Sequence, residues 1–366
     1  MKIVIVSHST FPHNSPRANR TDELARQLAK DHDVTLYVLT GAYDYSDYIK
    51  TTGVQVKSLG SPKAFRFDPI KISKASLGQK ILYKLFHRYF EYPYIELAYL
   101  TNKALKKESD IDLLITIAVP YPIHWGAAFH RSKNKDKLSK TVWVADCGDP
   151  YMGNPFHNKP FYFGYVEKWF CKYADFLSVP FEGATNAYYP ECQKKINVIP
   201  QGFDLTGFLS TPKYKENKVP TFIYAGTFYE DLRDPRPLLE HLVTIEQPFK
   251  FIIHSKNTAL INSYKSVLGN KLEVHDYIPR PDLIKKMSQC DFLINIENRG
   301  NVQAPSKLID YILSKRPVLS IDTSNKSQMK MVDNFLIGDY SRKLELPDAS
   351  VYDIKNVAKQ FTDLVI

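Results

Sequence analysis

The sequence predicts an α/β protein made of two doubly wound parallel-sheet domains, and three observations carry that reading. Short, continuous apolar runs bounded by turn residues recur along the chain, as strands covered on both faces require. Helical patterns alternate with them, which is the signature of βαβ units. A polar, strandless stretch, 211–220, divides the runs into two sets.

In the first set the runs are 3–6, 34–39, 54–59, 113–119, 141–145, 176–179 and 196–199. In the second they are 222–225, 251–254, 272–275, 292–296 and 317–321, with Phe335-Leu336-Ile337 as a weaker thirteenth. The seam is expected after Val198-Ile-Pro-Gln-Gly-Phe-Asp204, giving a first domain over 1–204 and a second over 205–349. A final helix, 350–366, is expected to pack back on the first. Ligands of such sheets bind at the carboxyl ends of the strands, so a cleft between the two domains is the expected site.

With 366 residues, 44% hydrophobic and 24% charged, the chain can bury two cores. No apolar run approaches the ~20 residues that span a bilayer. The opening Met1-Lys-Ile-Val-Ile-Val6 reads as a strand and not as a secretory leader, which favours the cytoplasm. Four scattered cysteines give neither a disulfide framework nor a zinc spacing. The net charge of +10 suits polyanionic company, either nucleoside diphosphates or an anionic lipid surface. No nucleic-acid motif accompanies it.

Two segments of the second domain carry chemistry. In Tyr224-Ala-Gly226-Thr227, followed by Arg233 and a proline-opened helix, a glycine turn at a strand end lets backbone approach a phosphate that Arg233 can grip. A plain βα loop with a solvated arginine is the competing reading. In Asn295-Ile-Glu297-Asn298, continuing to Pro305-Ser306-Lys307-Leu-Ile-Asp310-Tyr311, a polar loop leads into a helix. Its first amides face the same cleft, and Asp310 lies one turn inside it, placed to hold ribose hydroxyls or simply exposed to solvent.

Together these segments resemble the GT-B glycosyltransferases, most closely the large retaining group called family 4, over nearly the whole chain. Asp310, seven residues before Pro317, resembles the second acid of that group's E-x7-E motif. Gly226 and Arg233 resemble its phosphate-loop glycine and following basic residue. The resemblance implies two Rossmann-like domains facing a cleft. It also implies sugar transfer from a nucleoside-diphosphate donor to a glycan or lipid-linked acceptor, with retention of configuration, in bacterial surface polysaccharide synthesis. Two departures stand out. The first acid of the motif is Val302, and the usual arginine after the loop glycine is Thr227. A GT-B-like epimerase and a catalytically degenerate binding protein are the rival readings.

In the first domain, Ser15-Pro16 reads as the start of a helix, and Arg17 and Arg20 are candidates for an acceptor or phosphate loop, with plain surface arginines as the competing reading; His8 and His13 read as structural or solvent-facing. Asp146, with Asp149 in reserve, is the candidate catalytic acid beside the reacting sugar, although Gly148-Asp149-Pro150 is equally a turn. The donor-binding candidates are thus Gly226, Thr227, Arg233, Glu297, Asn298, Pro305, Ser306, Lys307 and Asp310. Arg233 also serves catalysis. No metal or other cofactor is expected. Finally, Gly78–Phe90 spaces apolar residues helically, with Lys80, Lys84, His87 and Arg88 on the remaining faces. This fits docking on an anionic membrane as well as a core helix with a solvated basic side.

Overall fold

The computed structural model describes residues 1–63, 76–134, 140–154, 159–206, 214–230, 233–297 and 307–365. They form two compact units, Met1–Asp204 with Val351–Ile366, and Leu205–Ser350.

The first unit runs β1 (Lys2–Ser7), α1 (Pro16–Leu28), β2 (Asp33–Val38), α2 (Ser46–Thr52), β3 (Gln55–Ser58), α3 (Leu77–Phe90), α4 (Glu96–Leu105), β4 (Leu113–Ala118), α5 (Pro122–Lys133), β5 (Val142–Cys147), α6 (Phe163–Tyr173), β6 (Phe176–Val179), α7 (Pro190–Gln193) and β7 (Ile196–Val198). The strands pair in parallel in the order β3-β2-β1-β4-β5-β6-β7. The order reverses between β1 and β4, where Ile3 lies opposite Leu113 and Ser7 opposite Ile117. Such a switch point opens a crevice at the carboxyl ends of the two strands.

Every residue of β4 is buried, because helices cover both faces of the sheet. One face packs Leu97, Leu105, Trp143 and Phe170, and the other packs Ile3, Leu24, Leu36 and Ile115. The second face is closed by a chain-terminal helix, Ile354–Thr362, which lays Val357 and Phe361 into the same cluster as Leu24 and Leu28 of α1.

The second unit runs β8 (Thr221–Ala225), α8 (Arg236–Val243), β9 (Lys250–His254), α9 (Asn262–Leu268), β10 (Leu272–His275), α10 (Arg280–Ser288), β11 (Phe292–Ile296), α11 (Leu308–Ser314), β12 (Val318–Ile321), α12 (Lys326–Met329) and α13 (Met331–Leu336). Its parallel order is β10-β9-β8-β11-β12, with the switch point between β8 and β11. Phe222 stacks on Phe251 and Phe292 at centroid distances of 4.6 and 4.7 Å, tying the three central strands together.

Twelve of the apolar runs are strands. The thirteenth, 335–337, is corrected: Phe335 and Leu336 end helix α13, in which Val332, Phe335 and Leu336 share one buried face at i, i+3 and i+4.

Candidate functional site

The switch point of the second unit assembles a cluster of cations. β8 ends in Tyr224-Ala225 and turns at Gly226, whose φ of +151° suits glycine, since side-chain-bearing residues rarely adopt it. From the neighbouring strand β11 the chain returns through Lys307, the residue capping α11. A Cβ on Gly226 would collide with the Lys307 ammonium, so the missing side chain is what admits the lysine. Lys307 Nζ lies 4.2 Å from the centroid of the Tyr224 ring. Burial, reinforced by the nearby Arg233 charge and opposed by Asp310, lowers its pKa to about 7.

Arg233 stands over the Tyr229 ring at 5.7 Å, and its Nε is buried with no hydrogen-bond partner among the described residues. Asp310, in the first turn of α11, accepts from Arg280 Nε at 2.6 Å. Burial nevertheless raises its pKa, against the pull of Arg280 and Lys307. Arg280 and Lys307 therefore act on the Asp310 carboxylate, and Arg233 acts on Lys307. Two positive groups held together out of water favour an anion between them.

The structure brings Gly226, Arg233, Lys307 and Asp310 to one strand-end crevice. Thr227 follows the turn, its carbonyl accepting from the Tyr224 hydroxyl at 3.4 Å. Glu297, at the end of β11, is exposed and accepts from Ser320 at 2.8 Å. Asn298, Pro305 and Ser306 lie outside the described residues, as does Val302. Arg280 carried no motif in the sequence, and only the fold reveals its contact with Asp310.

In the first unit the candidates separate. Ser15 caps α1 by accepting from the Ala18 amide at 3.2 Å, and Pro16 occupies the first turn. Arg20, however, faces inward. It donates to both oxygens of Asp146, at 3.1 and 2.9 Å, and to the carbonyls of Pro200 and Ile199. Ser178 supplies a further donor to Asp146 at 2.7 Å. Arg20 and Asp146 are each 2% exposed.

Burial acts to raise the pKa of Asp146, but the Arg20 and Arg17 charges and these hydrogen bonds outweigh it and hold the carboxyl below its usual range. A carboxylate so enclosed does not reach a sugar, and an arginine so engaged does not grip a phosphate. The assignments of Asp146 to catalysis and of Arg20 to a phosphate loop are therefore corrected: the pair ties α1 to β5, β6 and the end of β7. Arg17 differs. It is half-buried and lies against Gly148, in space a side chain there would fill. Asp149 is half-buried, and its carbonyl accepts from Tyr121 at 2.7 Å, as the turn reading expects.

The crevice of the first unit holds a cavity of about 450 Å³ that sequence reasoning missed. It is lined by His8 from the end of β1, Val119 and Pro120 from the end of β4, Pro150 and Tyr151 beyond β5, and His87, Arg88, Glu91, Tyr94, Tyr121 and Lys159. Burial and the charge of His13 hold His8 neutral, with a pKa near 4. The available signal was position, since His8 directly follows the first strand of a doubly wound sheet.

No protein-family model and no curated protein sequence matches the chain. Solved structures do. A glycosyltransferase from Rickettsia africae has a TM-score of 0.67 at 12% identity, over 99% of this chain and 97% of that one. Anabaena HepE in complex with UDP and glucose has a TM-score of 0.61 at 12% identity, over 100% and 99%. The lipopolysaccharide outer core galactosyltransferase WaaB, apo form, has a TM-score of 0.60 at 12% identity, over 100% and 96%. At such identities the likeness is one of fold, and the fold is GT-B.

Proposed function

We propose that the chain is a glycosyltransferase that takes a sugar from a nucleoside-diphosphate donor and places it on a glycan or lipid-linked acceptor, in the synthesis of a surface polysaccharide. The observation that carries this reading is the Gly226–Lys307–Arg233 cluster, two half-buried cations at a glycine turn, near enough that the charge of Arg233 lowers the pKa of Lys307. A diphosphate would neutralise both. Charge on that diphosphate grows as the glycosidic bond breaks, so Arg233 and Lys307 bind the transition state more tightly than the ground state. Asp310, oriented by Arg280, takes the ribose hydroxyls. Arg17, at the first turn of α1, is the first unit's cation for a phosphate.

With two cations already in place, transfer should not need a metal ion. Activity on a panel of nucleotide sugars, followed by chromatography with and without excess chelator, tests this. Unchanged rates are expected. Complete loss with chelator, restored by magnesium or manganese, would mean that a metal carries the leaving-group charge. Conversion of donor to an epimer without any acceptor would replace the transferase reading with an isomerase. Following the configuration of the product's new bond by NMR tests the retention implied by the family resemblance.

No helix among the described residues is long and apolar enough to cross a membrane. Attachment to a membrane surface, at the cytoplasmic face, is part of this proposal, and α3 is the element assigned to it.

A further inference from the structure

The inward face of α6 carries Phe163, Glu167, Phe170 and Cys171, at i, i+4, i+7 and i+8, so a carboxylate stands in an apolar stripe. Glu167 is 0% exposed. Its Oε1 accepts from the Met152 amide at 3.5 Å, and its Oε2 has no hydrogen-bond partner among the described residues. Asp146, just as deeply placed, shows the contrast, since Arg20 and Ser178 satisfy it. A buried ionised carboxylate needs a cation or several donors, and one long hydrogen bond supplies neither. Burial raises the pKa of Glu167 to about 7, with the Met152 amide opposing in part.

The groups around it supply no positive charge. Burial holds the protons of Tyr121, Cys147, Tyr151 and Tyr188 in place, the Cys192 thiol does so for Cys171, and the charge of Glu167 adds to each. Lys159 stands over the Tyr151 and Phe163 rings at 5.6 and 6.0 Å, but it is paired with Glu91. The segment that leaves β5 is tied to a different element at almost every residue. The Asp149 carbonyl accepts from Tyr121 and the Tyr151 hydroxyl donates to Glu91, both at 2.7 Å. Gly153 lies so close to the Ala187 carbonyl that a Cβ would overlap it, and Asn154 is buried. Between them, half-buried Met152 is tied to α6 by the Glu167 bond. Pro150 and Tyr151 of the same segment line the first unit's cavity.

We propose that Glu167 is a proton-sensitive positioning residue: protonated, it holds Met152 and with it the Pro150–Tyr151 wall of the cavity, and ionised, it lets that wall shift. Protonation removes a charge the core cannot solvate and keeps an acceptor oxygen for the Met152 amide. Ionisation leaves a charge at zero exposure, relieved when water or new donors reach Oε2. α6 is the stiffer side of the contact. Phe170 and Cys171 fix it in the core, and Lys195 ties down its last turn through the carbonyls of Cys171 and Ala174, at 2.9 and 2.6 Å. The segment around Met152, joined to Glu167 by a single 3.5 Å bond, is the side that yields. This goes beyond the transferase reading and stands without it, because proton and position are both read on the chain alone.

The test is a pH titration of the full chain from about pH 4.5 to about pH 8.5, read in two ways. NMR of methyl-labelled methionine reads position, with the Met152 signal assigned through Met152→Leu. That signal should move with a midpoint near pH 7 in the parent chain and should not titrate in Glu167→Gln, which keeps the shape and an acceptor for the amide. Glu167→Leu, which also lacks the proton, should give the same flat response and covers the case in which the glutamine variant does not fold. Denaturant unfolding reads the proton. Between the ordinary carboxyl range and about 7, the folded Glu167 keeps a proton that the unfolded chain has released. Relative to Glu167→Gln, the parent's folding constant should therefore fall by up to roughly 100-fold as pH rises from about 4.5 to about 7, and then hold level. A Met152 signal that ignores pH in the parent, or that titrates equally in Glu167→Gln, overturns the proposal. A parent whose stability tracks that of Glu167→Gln at every pH overturns it as well, because the carboxylate would then be paired.

Discussion

Two charged clusters stand at strand ends in this chain, and they are built on opposite principles. In the first unit Arg20 and Asp146 satisfy each other completely, with Ser178 and two backbone carbonyls taking what capacity is left. In the second, Lys307 and Arg233 repel each other, and Asp310, which attracts Lys307, is also gripped by Arg280. A closed network resists unfolding but offers nothing to a ligand. An open one costs stability until an anion arrives. On the proposed reading the first serves architecture and the second serves binding, and each half can be broken separately.

The largest effect should come from the closed cluster. Asp146→Ala strands the Arg20 guanidinium at 2% exposure, and removal of one partner from a buried pair typically costs about 3–5 kcal/mol. Denaturant unfolding should show that loss, while nucleoside-diphosphate affinity in the folded fraction stays within about twofold. Unchanged stability with a large fall in turnover would return Asp146 to the reacting centre.

The open cluster should respond the other way. Lys307→Met removes a buried charge without a full partner, so the free protein should gain ~0.5–2 kcal/mol. Arg233→Ala should leave stability near that of the parent. Both should weaken nucleoside-diphosphate binding by roughly 10- to 100-fold, the value of charge-assisted hydrogen bonds to a ligand. Arg233→Ala should in addition slow turnover at saturating donor. Calorimetry paired with thermal unfolding reads both quantities. A lysine variant that loses stability together with affinity would erase the distinction between the clusters.

The pH dependence sharpens it further. Lys307 has its pKa lowered to about 7 in the folded chain, well below that of an unfolded lysine. Between these two values the unfolded state binds more protons, so this residue's contribution to stability rises as pH rises from about 7 toward 10. On the proposed reading a bound diphosphate would restore the proton. Above pH 7, nucleotide binding should therefore take up close to one proton, and affinity should fall by up to about tenfold per pH unit. Calorimetry in buffers of differing ionisation enthalpy measures the uptake, and in Lys307→Met the uptake should vanish.

Much of the fold was legible because parallel strands covered on both faces are continuous apolar runs, and twelve of them pair as strands. The run at 335–337 misled because three apolar residues do not reveal their period. Only Val332, one turn earlier, shows it to be helical. Gly226, Arg233, Lys307 and Asp310, which motif spacing singled out, lie in the segments that follow two strands the fold makes neighbours. The pairing of Asp146 was not legible, since nothing local to a strand end announces an arginine 126 positions away. The cavity was invisible for the same reason: His8, Glu91, Tyr151 and Lys159 meet only after β1, β4 and β5 have been laid side by side. The basic aromatic helix was legible as a helix, but its outward apolar face depends on where its ends are anchored.

The smallest expected effect, and the finest discrimination, concerns Asp310. Its carboxylate accepts from Arg280 through one oxygen, and burial raises its pKa even so. The geometry leaves it a partly satisfied member of an otherwise open cluster, intermediate between the two extremes. Asp310→Asn keeps the shape and an acceptor oxygen for Arg280 but loses the charge that strengthens a bond to a ribose hydroxyl. Ribose contacts change little as the sugar departs, because the charge develops on the diphosphate. The donor's KM should thus rise about tenfold with little change in turnover at saturation, whereas Arg233→Ala moves both. A nucleoside monophosphate should lose about the same factor as the diphosphate, since the ribose is common to both. If Asp310→Asn instead lowers turnover and spares KM, the carboxylate acts at the departing group. The cluster would then be a single catalytic unit, with no separate ribose contact.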